Sequence, residues 1–292
     1  MYDDVLIPTD GSKGVEPAIR HGLGVANRFD STVHTIHVVD LTDIQGELLP
    51  QIPPEWRQAG DHATQVIANE AAKLGIDAIT NVDHGTPFKR ILDYVDNHGI
   101  DLVTIGTHGR SGLERYLLGS VTERVVGGSP VPVLCVPRTD ERPASLPDDI
   151  TYDRILVPTD GSKGARQATK HAIEFARAYD ATVHALNVVN RRSFATRPGT
   201  EWDELEASLE DSGETATKYV ADAADDAGLS TVTTVQDGVP HRMIAEYATE
   251  EVIDLIAMGT HGRSGLSKWM LGSVTERVLQ TSEIPVLTVR SG

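Results

Sequence analysis

Two stretches of this chain occur twice, and no other feature narrows its fold as much. Residues 5–14 read VLIPTDGSKG and residues 155–164 read ILVPTDGSKG, identical at eight of ten positions and 150 residues apart. The longer stretch, GTHGRSGLERYLLGSVTERV at 106–125, returns as GTHGRSGLSKWMLGSVTERV at 259–278 with sixteen of twenty positions identical, now 153 apart. A period of this size is one ordinary domain long, so the 292 residues divide into two copies of one domain rather than a stack of short repeats. Val33 and Val38 match Val183 and Val188 at the first spacing, and Gly85 matches Gly238 at the second. Three residues were therefore gained between those points, in or near the loop after the second strand.

Within each copy, short β-branched runs alternate with longer helical patterns, the signature of βαβ units around a parallel sheet. In the first copy strands are predicted near residues 4–9, 32–39, 78–83, 102–106 and 131–136, with helices over about 13–29, 55–74, 87–97 and 120–127. The fold class that follows is α/β: two tandem doubly wound domains, each a five-stranded parallel sheet with helices on both faces. Residues 1–138 form the first domain and 151–292 the second. Between them 139–150 is polar, holds Pro143 and Pro147 and lacks an apolar period, as a linker does.

Open parallel sheets bind ligands beyond the carboxyl ends of their strands where strand order reverses, and both repeated stretches fall at such ends. The longer one leaves a predicted strand at Ile105 and Gly106, passes Gly109, and reaches Gly119 and Ser120 at a helix start. Glycine lets backbone N–H groups come close to phosphates, and a helix N-terminus favours anions. The expectation is a phosphate cradle built from N–H groups around Gly109 and Gly119. The structural alternative is a tight turn with Ser120 capping the last helix and Thr122 and Glu123 supporting its first turn.

The spacing Gly106-x2-Gly109-x9-Gly119-Ser120, repeated as Gly259-x2-Gly262-x9-Gly272-Ser273, resembles the ATP-binding branch of the universal stress protein family, in its tandem two-domain form. The resemblance covers nearly all of both halves. It implies an ATP site in each copy, with Val121, Thr122, Val274 and Thr275 completing the glycine motif. It also implies Thr9 and Asp10, with Thr159 and Asp160, at the nucleoside end, and Val38 and Val188, with Ile105 and Met258, against the adenine. For Asp10 and Ser12 a helix cap is the equal alternative, and for Val38, Val188, Ile105 and Met258 ordinary strand core. His37 stands where the second copy has Asn187, a departure that bears on whether the two pockets are equivalent.

Arg110 and Arg263, inside the glycine segments, are read as phosphate contacts that offset an acidic surface, against a solvated surface role. His108 and His261 read as loop hydrogen-bonding groups rather than catalytic bases, since no carboxylate has a visible spacing to orient them. No G-x4-GK[ST] loop, C-x2-C pair or H-E-x2-H cluster occurs, so P-loop hydrolysis and a dedicated zinc site are disfavoured; Mg²⁺ or Mn²⁺ would arrive with the phosphates.

Charge excludes another class. Forty-three acidic against twenty-six basic residues leave a net charge of -17, which repels polynucleotides, so no nucleic acid partner is expected. MYDDVLIPTDG carries no basic segment leading into a long apolar one, and eighteen apolar residues nowhere run together. The expectation is a cytoplasmic chain with no membrane partner. Cys135, alone in an apolar run, reads as a small buried hydrophobe. Functionally, the expectation is a nucleotide-responsive binding and signalling module with an unknown protein partner; the alternative is a slow ATPase or an adenylyl- or phosphoryl-transfer enzyme using the same pocket. The two halves are expected to associate as an intramolecular pseudo-dimer through the edge strands holding Val133 and Val286, with homodimerisation of whole chains as a further option.

Overall fold

The computed structural model describes residues 1–40, 53–107, 118–138, 150–190, 202–262 and 271–291, with the side chains of 202–206 left aside. The chain forms two compact units, Met1–Ile150 and Thr151–Gly292.

In the first unit the elements run β1 (Asp4–Thr9), a 3₁₀ turn (Lys13–Val15), α1 (Glu16–Phe29), β2 (Thr32–Val39), α2 (Pro54–Lys73), β3 (Ala78–His84), α3 (Pro87–His98), β4 (Leu102–Gly106), α4 (Ser120–Gly128) and β5 (Val133–Val136). The second unit repeats them: β6 (Arg154–Pro158), α5 (Lys163–Tyr179), β7 (Thr182–Val189), α6 (Trp202–Asp226), β8 (Thr231–Asp237), α7 (Pro240–Glu250), β9 (Leu255–Gly259), α8 (Ser273–Thr281) and β10 (Val286–Val289). Strand order is β3-β2-β1-β4-β5 in one and β8-β7-β6-β9-β10 in the other, and the strand pairs within each unit are parallel.

Side-chain alternation assigns the faces. Ile7 pairs with Thr35 and Thr9 with His37, so Ile7 and His37 point to the same side of the sheet. A Cβ on Gly22 of α1 would lie 2.7 Å from the Ile7 side chain, and one on Gly60 of α2 would lie 2.9 Å from His37; α1 and α2 therefore share a face. His34, of opposite parity, accepts or donates through Nδ1 at 3.0 Å from the Tyr94 hydroxyl, which puts α3 on the other face, and Arg124 of α4 lies over the Phe88 ring of α3. His184 and Tyr247 repeat the first contact at 3.0 Å in the second unit. Strands covered on both sides must be apolar almost throughout, which is why Val5, Leu6 and Ile7, and Ile155, Leu156 and Val157, are all fully buried. Cys135 is buried in β5 beside Ile105.

The first helix differs from expectation in one copy only. A helix beginning at Lys13 would need the N–H that Pro17 lacks, so the chain makes a 3₁₀ turn there and α1 begins at Glu16; in the second copy Gln167 has that N–H and α5 begins at Lys163. The three extra residues lie between β7 and Gly213, since the strands keep the 150 spacing while Gly60 and Gly213 already hold the 153 spacing. Among the described residues no helix is long and apolar enough to cross a membrane.

Six helices are followed within two residues by one in the left-handed region: Asp30, Gly75, Gly99, Asp180, Gly228 and Val252, with φ of 57°, 76°, 65°, 55°, 74° and 50°. Asp and Gly tolerate that region, whereas a β-branched side chain clashes there. Val252 takes the place of Gly99 and is 65 % exposed, so it contributes little to the core. Val252→Gly is expected to raise the stability of the second domain by about 1 kcal/mol, relief of the clash outweighing the added freedom of the unfolded chain. Urea unfolding checks this, with an unchanged or lower midpoint as the contrary result.

Burial, with a smaller push from Lys170, lowers the His171 imidazole of α5 to about 4. Unfolded, the ring takes up its proton near pH 6.5, so between the two values the unfolded chain binds more protons and stability falls as pH drops through that window. The expected loss from this group is on the order of 2 to 3 kcal/mol by pH 4. Urea unfolding at pH 7 and pH 4.5 should show a smaller drop for His171→Gln than for the parent.

Candidate functional site

The strand order reverses beside β1 and β4, and beside β6 and β9, so the loops leaving those strands turn to opposite faces and open a crevice. In the second unit that crevice holds a cavity of about 330 Å³.

One wall is the turn after β6. Gly161, with φ of 75°, lets the chain fold back so that Thr159 Oγ1 accepts the Gly161 N–H at 3.2 Å and Asp160 Oδ1 accepts the Ser162 N–H at 3.0 Å. The first copy makes the same turn, with Gly11 at 75° and bonds of 3.1 and 2.9 Å. Ser162 then caps α5, its Oγ accepting the Ala165 N–H at 3.2 Å. Ser12 makes no such cap, because the helix there starts later.

The second wall is the exit of β9, and two glycines let it close on α5. A Cβ on Gly259 would sit 2.7 Å from the Gly164 carbonyl carbon, and one on Gly164 would sit 2.5 Å from the His261 carbonyl oxygen. Both are backbone contacts, so no side chain fits at either place. Gly262 is equally tight, its Cβ position lying 2.8 Å from Asp160 Oδ2. His261 shares a 3.0 Å hydrogen bond through Nδ1 with Thr260 Oγ1, the loop role expected of it, while its buried Nε2 has no partner.

The floor is the start of α8. Its N-cap is Gly272, not Ser273, and α4 begins the same way at Gly119, so the capping role considered for Ser120 does not arise. The Gly272 N–H donates to the Thr260 carbonyl at 2.9 Å and the Gly119 N–H to the Thr107 carbonyl at 2.8 Å. The N–H groups of Gly119 and Gly272 are therefore spent within the protein. The N–H groups left open are those of Ser273, Val274 and Thr275, which occupy the first turn and have no carbonyl in their own helix to bond. Thr275 Oγ1 donates to the Gly259 carbonyl at 2.8 Å and Thr122 Oγ1 to the Gly106 carbonyl at 2.7 Å, pinning each helix start to the strand behind it.

Thr159, Asp160, Val188, Met258, Gly259, Gly262, Gly272, Ser273, Val274 and Thr275 all line this one cavity; Arg263 lies outside the described residues. In the first copy Thr9, Asp10, Val38, Ile105, Gly106, Gly119, Ser120, Val121 and Thr122 occupy the corresponding positions, and His108, Gly109 and Arg110 lie outside the described residues. The cavity also takes Ser162, Ala165, Leu186, Asn187, Pro240 and Ile244, none of which was expected in a site from the sequence. The repeated Gly-x-Pro at Gly85 and Gly238, each opening a helix, was a visible signal for Pro240 and Ile244. Asn187 stood out only as the counterpart of His37; its Nδ2 donates to the Thr159 carbonyl at 2.7 Å, tying β7 to β6 at the rim.

The sequence pattern of the universal stress protein family matches this chain twice, at residues 1–137 and 151–290. The chain belongs to the universal stress protein family. Universal stress protein Rv2005c of Mycobacterium tuberculosis is 26% identical over 297 residues, spanning 98% of this chain and 96% of its own. Universal stress protein MJ0531 of Methanocaldococcus jannaschii is 40% identical over 140 residues, 48% of this chain and 82% of its own, which makes it similar to one domain of this tandem universal stress protein. The crystal structure of a universal stress protein from Archaeoglobus fulgidus superposes with a TM-score of 0.73 at 23% identity and covers both chains completely, so the tandem fold is shared.

The chemistry of the universal stress protein cavity is two-sided. Leu186, Val188, Ile244 and Met258 make one part apolar, and the helix start offers three N–H groups at the positive end of the α8 dipole. Such a site accommodates a ligand with a flat apolar group at one end and an anion at the other.

Proposed function

We propose that each domain binds an adenine nucleotide, ATP in the first place, and that the chain acts as a nucleotide-responsive binding and signalling module in a stress response. The observation that carries this reading is the convergence of the motif residues on one cavity whose floor is the open first turn of α8. Adenine would lie between Val188 and Met258, the ribose near Thr159 and Asp160, and the phosphates over Ser273, Val274 and Thr275. Arg110 and Arg263 would reach the outer phosphates. Among the described residues no group of three or more His, Cys, Asp or Glu side chains converges, so Mg²⁺ or Mn²⁺ would be held chiefly by the phosphates.

Binding is favoured over turnover because the residues that converge here build a cavity, while the hydrogen bond of the His261 ring, Nδ1 with Thr260 Oγ1, supplies no carboxylate to hold its open Nε2 as a general base, and Asp160 Oδ1 is taken up by the Ser162 N–H. The alternative, a slow ATPase or an adenylyl- or phosphoryl-transfer enzyme, is separated by following ATP at saturating Mg²⁺: release of ADP or AMP over many turnovers by the folded parent supports the enzyme, and an intact bound nucleotide supports the module. Association of the two domains with each other and action through a protein partner in the cytoplasm belong to the same proposal. Separately expressed domains that stay monomeric at high concentration would count against the association.

A further inference from the structure

The two pockets share their motif but not their walls. Ala165 and Asn187 of the second pocket are replaced in the first by Val15 and His37, while Leu186 and Met258 become isoleucines of equal heavy-atom count. Valine brings two methyl carbons more than alanine, and imidazole two ring atoms more than carboxamide. Both first-domain residues are buried, at 8 % and 7 % exposure, as their counterparts Ala165 and Asn187 are, so the added atoms are not turned out to solvent.

The imidazole has little room to withdraw. Behind it, the site of a Cβ on Gly60 is 2.9 Å from His37 Cδ2 and 2.8 Å from Val82 Cγ1, just as that on Gly213 is 2.6 Å from Asn187 Oδ1 and 3.1 Å from Val235 Cγ1; the backing is close in both domains, which leaves the two extra ring atoms of His37 only the pocket side. Val15 is fixed too: Pro17 delays α1, and residue 15 becomes its N-cap instead of sitting inside the first turn as Ala165 does. The wall at Ile105 is β-branched and stiff, where Met258 is unbranched and adapts to a flat ring.

We infer that the second domain is the tight nucleotide site and the first a weak one, with residues 15 and 37 setting the difference. This rests on the proposed nucleotide function. Occupancy is then stepwise: the second site fills at low ATP and the first responds only at high ATP, giving one chain two thresholds.

The test is calorimetric titration of the full chain with ATP. The parent should show two classes of site, one equivalent bound at least tenfold more tightly than the other. Gly119→Val should remove the weak class and Gly272→Val the tight one. In the Gly272→Val chain, Val15→Ala with His37→Asn should tighten the remaining site at least fivefold; in the Gly119→Val chain, Ala165→Val with Asn187→His should weaken it by a similar factor. Circular dichroism and melting temperature establish that each variant is folded, and the parent isotherm decides the matter if one is not. Two equal sites, a tighter first site, or exchanges that leave both affinities unchanged overturn the inference while leaving the nucleotide function standing. A parent that binds no ATP overturns both.

Discussion

The chain carrying Gly119→Val and Gly272→Val together is expected to stay folded and to bind ATP at least 100-fold more weakly than the parent. With φ of -64° at Gly272 and -59° at Gly119, valine meets no backbone prohibition at either position; the obstacle is space. A Cβ at 272 would lie 3.2 Å from the Thr260 carbonyl oxygen, 3.6 Å from His261 Cα and 3.8 Å from the Gly262 nitrogen, all backbone atoms of the cavity wall. Two further methyl groups push that wall outward and cover the N–H groups of Ser273, Val274 and Thr275. Hydrogen bonds from neutral donors to a charged phosphate contribute about 1.5 to 3 kcal/mol each, and a 100-fold loss corresponds to roughly 2.7 kcal/mol, so disabling one or two is enough. Ligand-induced stabilisation should vanish with them: the parent gains about 2.7 kcal/mol at an ATP concentration 100 times the Kd, and the double variant gains almost nothing. Melting with and without ATP reads this directly.

The second large effect is structural. Phe175 of α5 is fully buried, 6.0 Å by ring centroid from Tyr152 and 6.3 Å from Tyr179. Phe175→Ala leaves a cavity that the strands beneath cannot close, at a cost of about 3 to 5 kcal/mol. For a domain of this size the loss lowers the melting point by roughly 10 °C or more. The first domain has Val25 at that position and is not altered, so the melt should separate into two transitions, and the nucleotide site of the second domain should disappear with the earlier one. A single unshifted transition would show that the Phe175 side chain does not carry the core of its domain.

The fold was legible because its evidence is local. Repeats, β-branched runs and helical periods lie along the chain, and they placed the five strands and four helices of the first copy to within a few residues. The misplacements have local causes: β5 begins at Val133, after Pro132, which offers only its carbonyl, the acceptor of the Val103 N–H at 3.0 Å; and the start of α1 was displaced by Pro17. The site was less legible because its geometry depends on residues distant in sequence. Which N–H groups are open at the start of α8 is decided by the Thr260 carbonyl, which engages Gly272. That Gly164 must be glycine is decided by His261, almost a hundred residues later. Asn187 and Ile244 enter the cavity because β7 pairs with β6 and α7 packs against β7, which no spacing along the chain reveals.

Adenine-nucleotide binding is the claim on which the rest depends, and the most direct test is to heat-denature the purified chain and identify by chromatography whatever nucleotide it releases, titrating the refilled protein with ATP in parallel. The expected result is an adenine nucleotide close to one equivalent per chain, held by the second domain, and a binding isotherm that the double glycine variant lacks. A folded parent that releases no adenine nucleotide and takes up none on titration would contradict it.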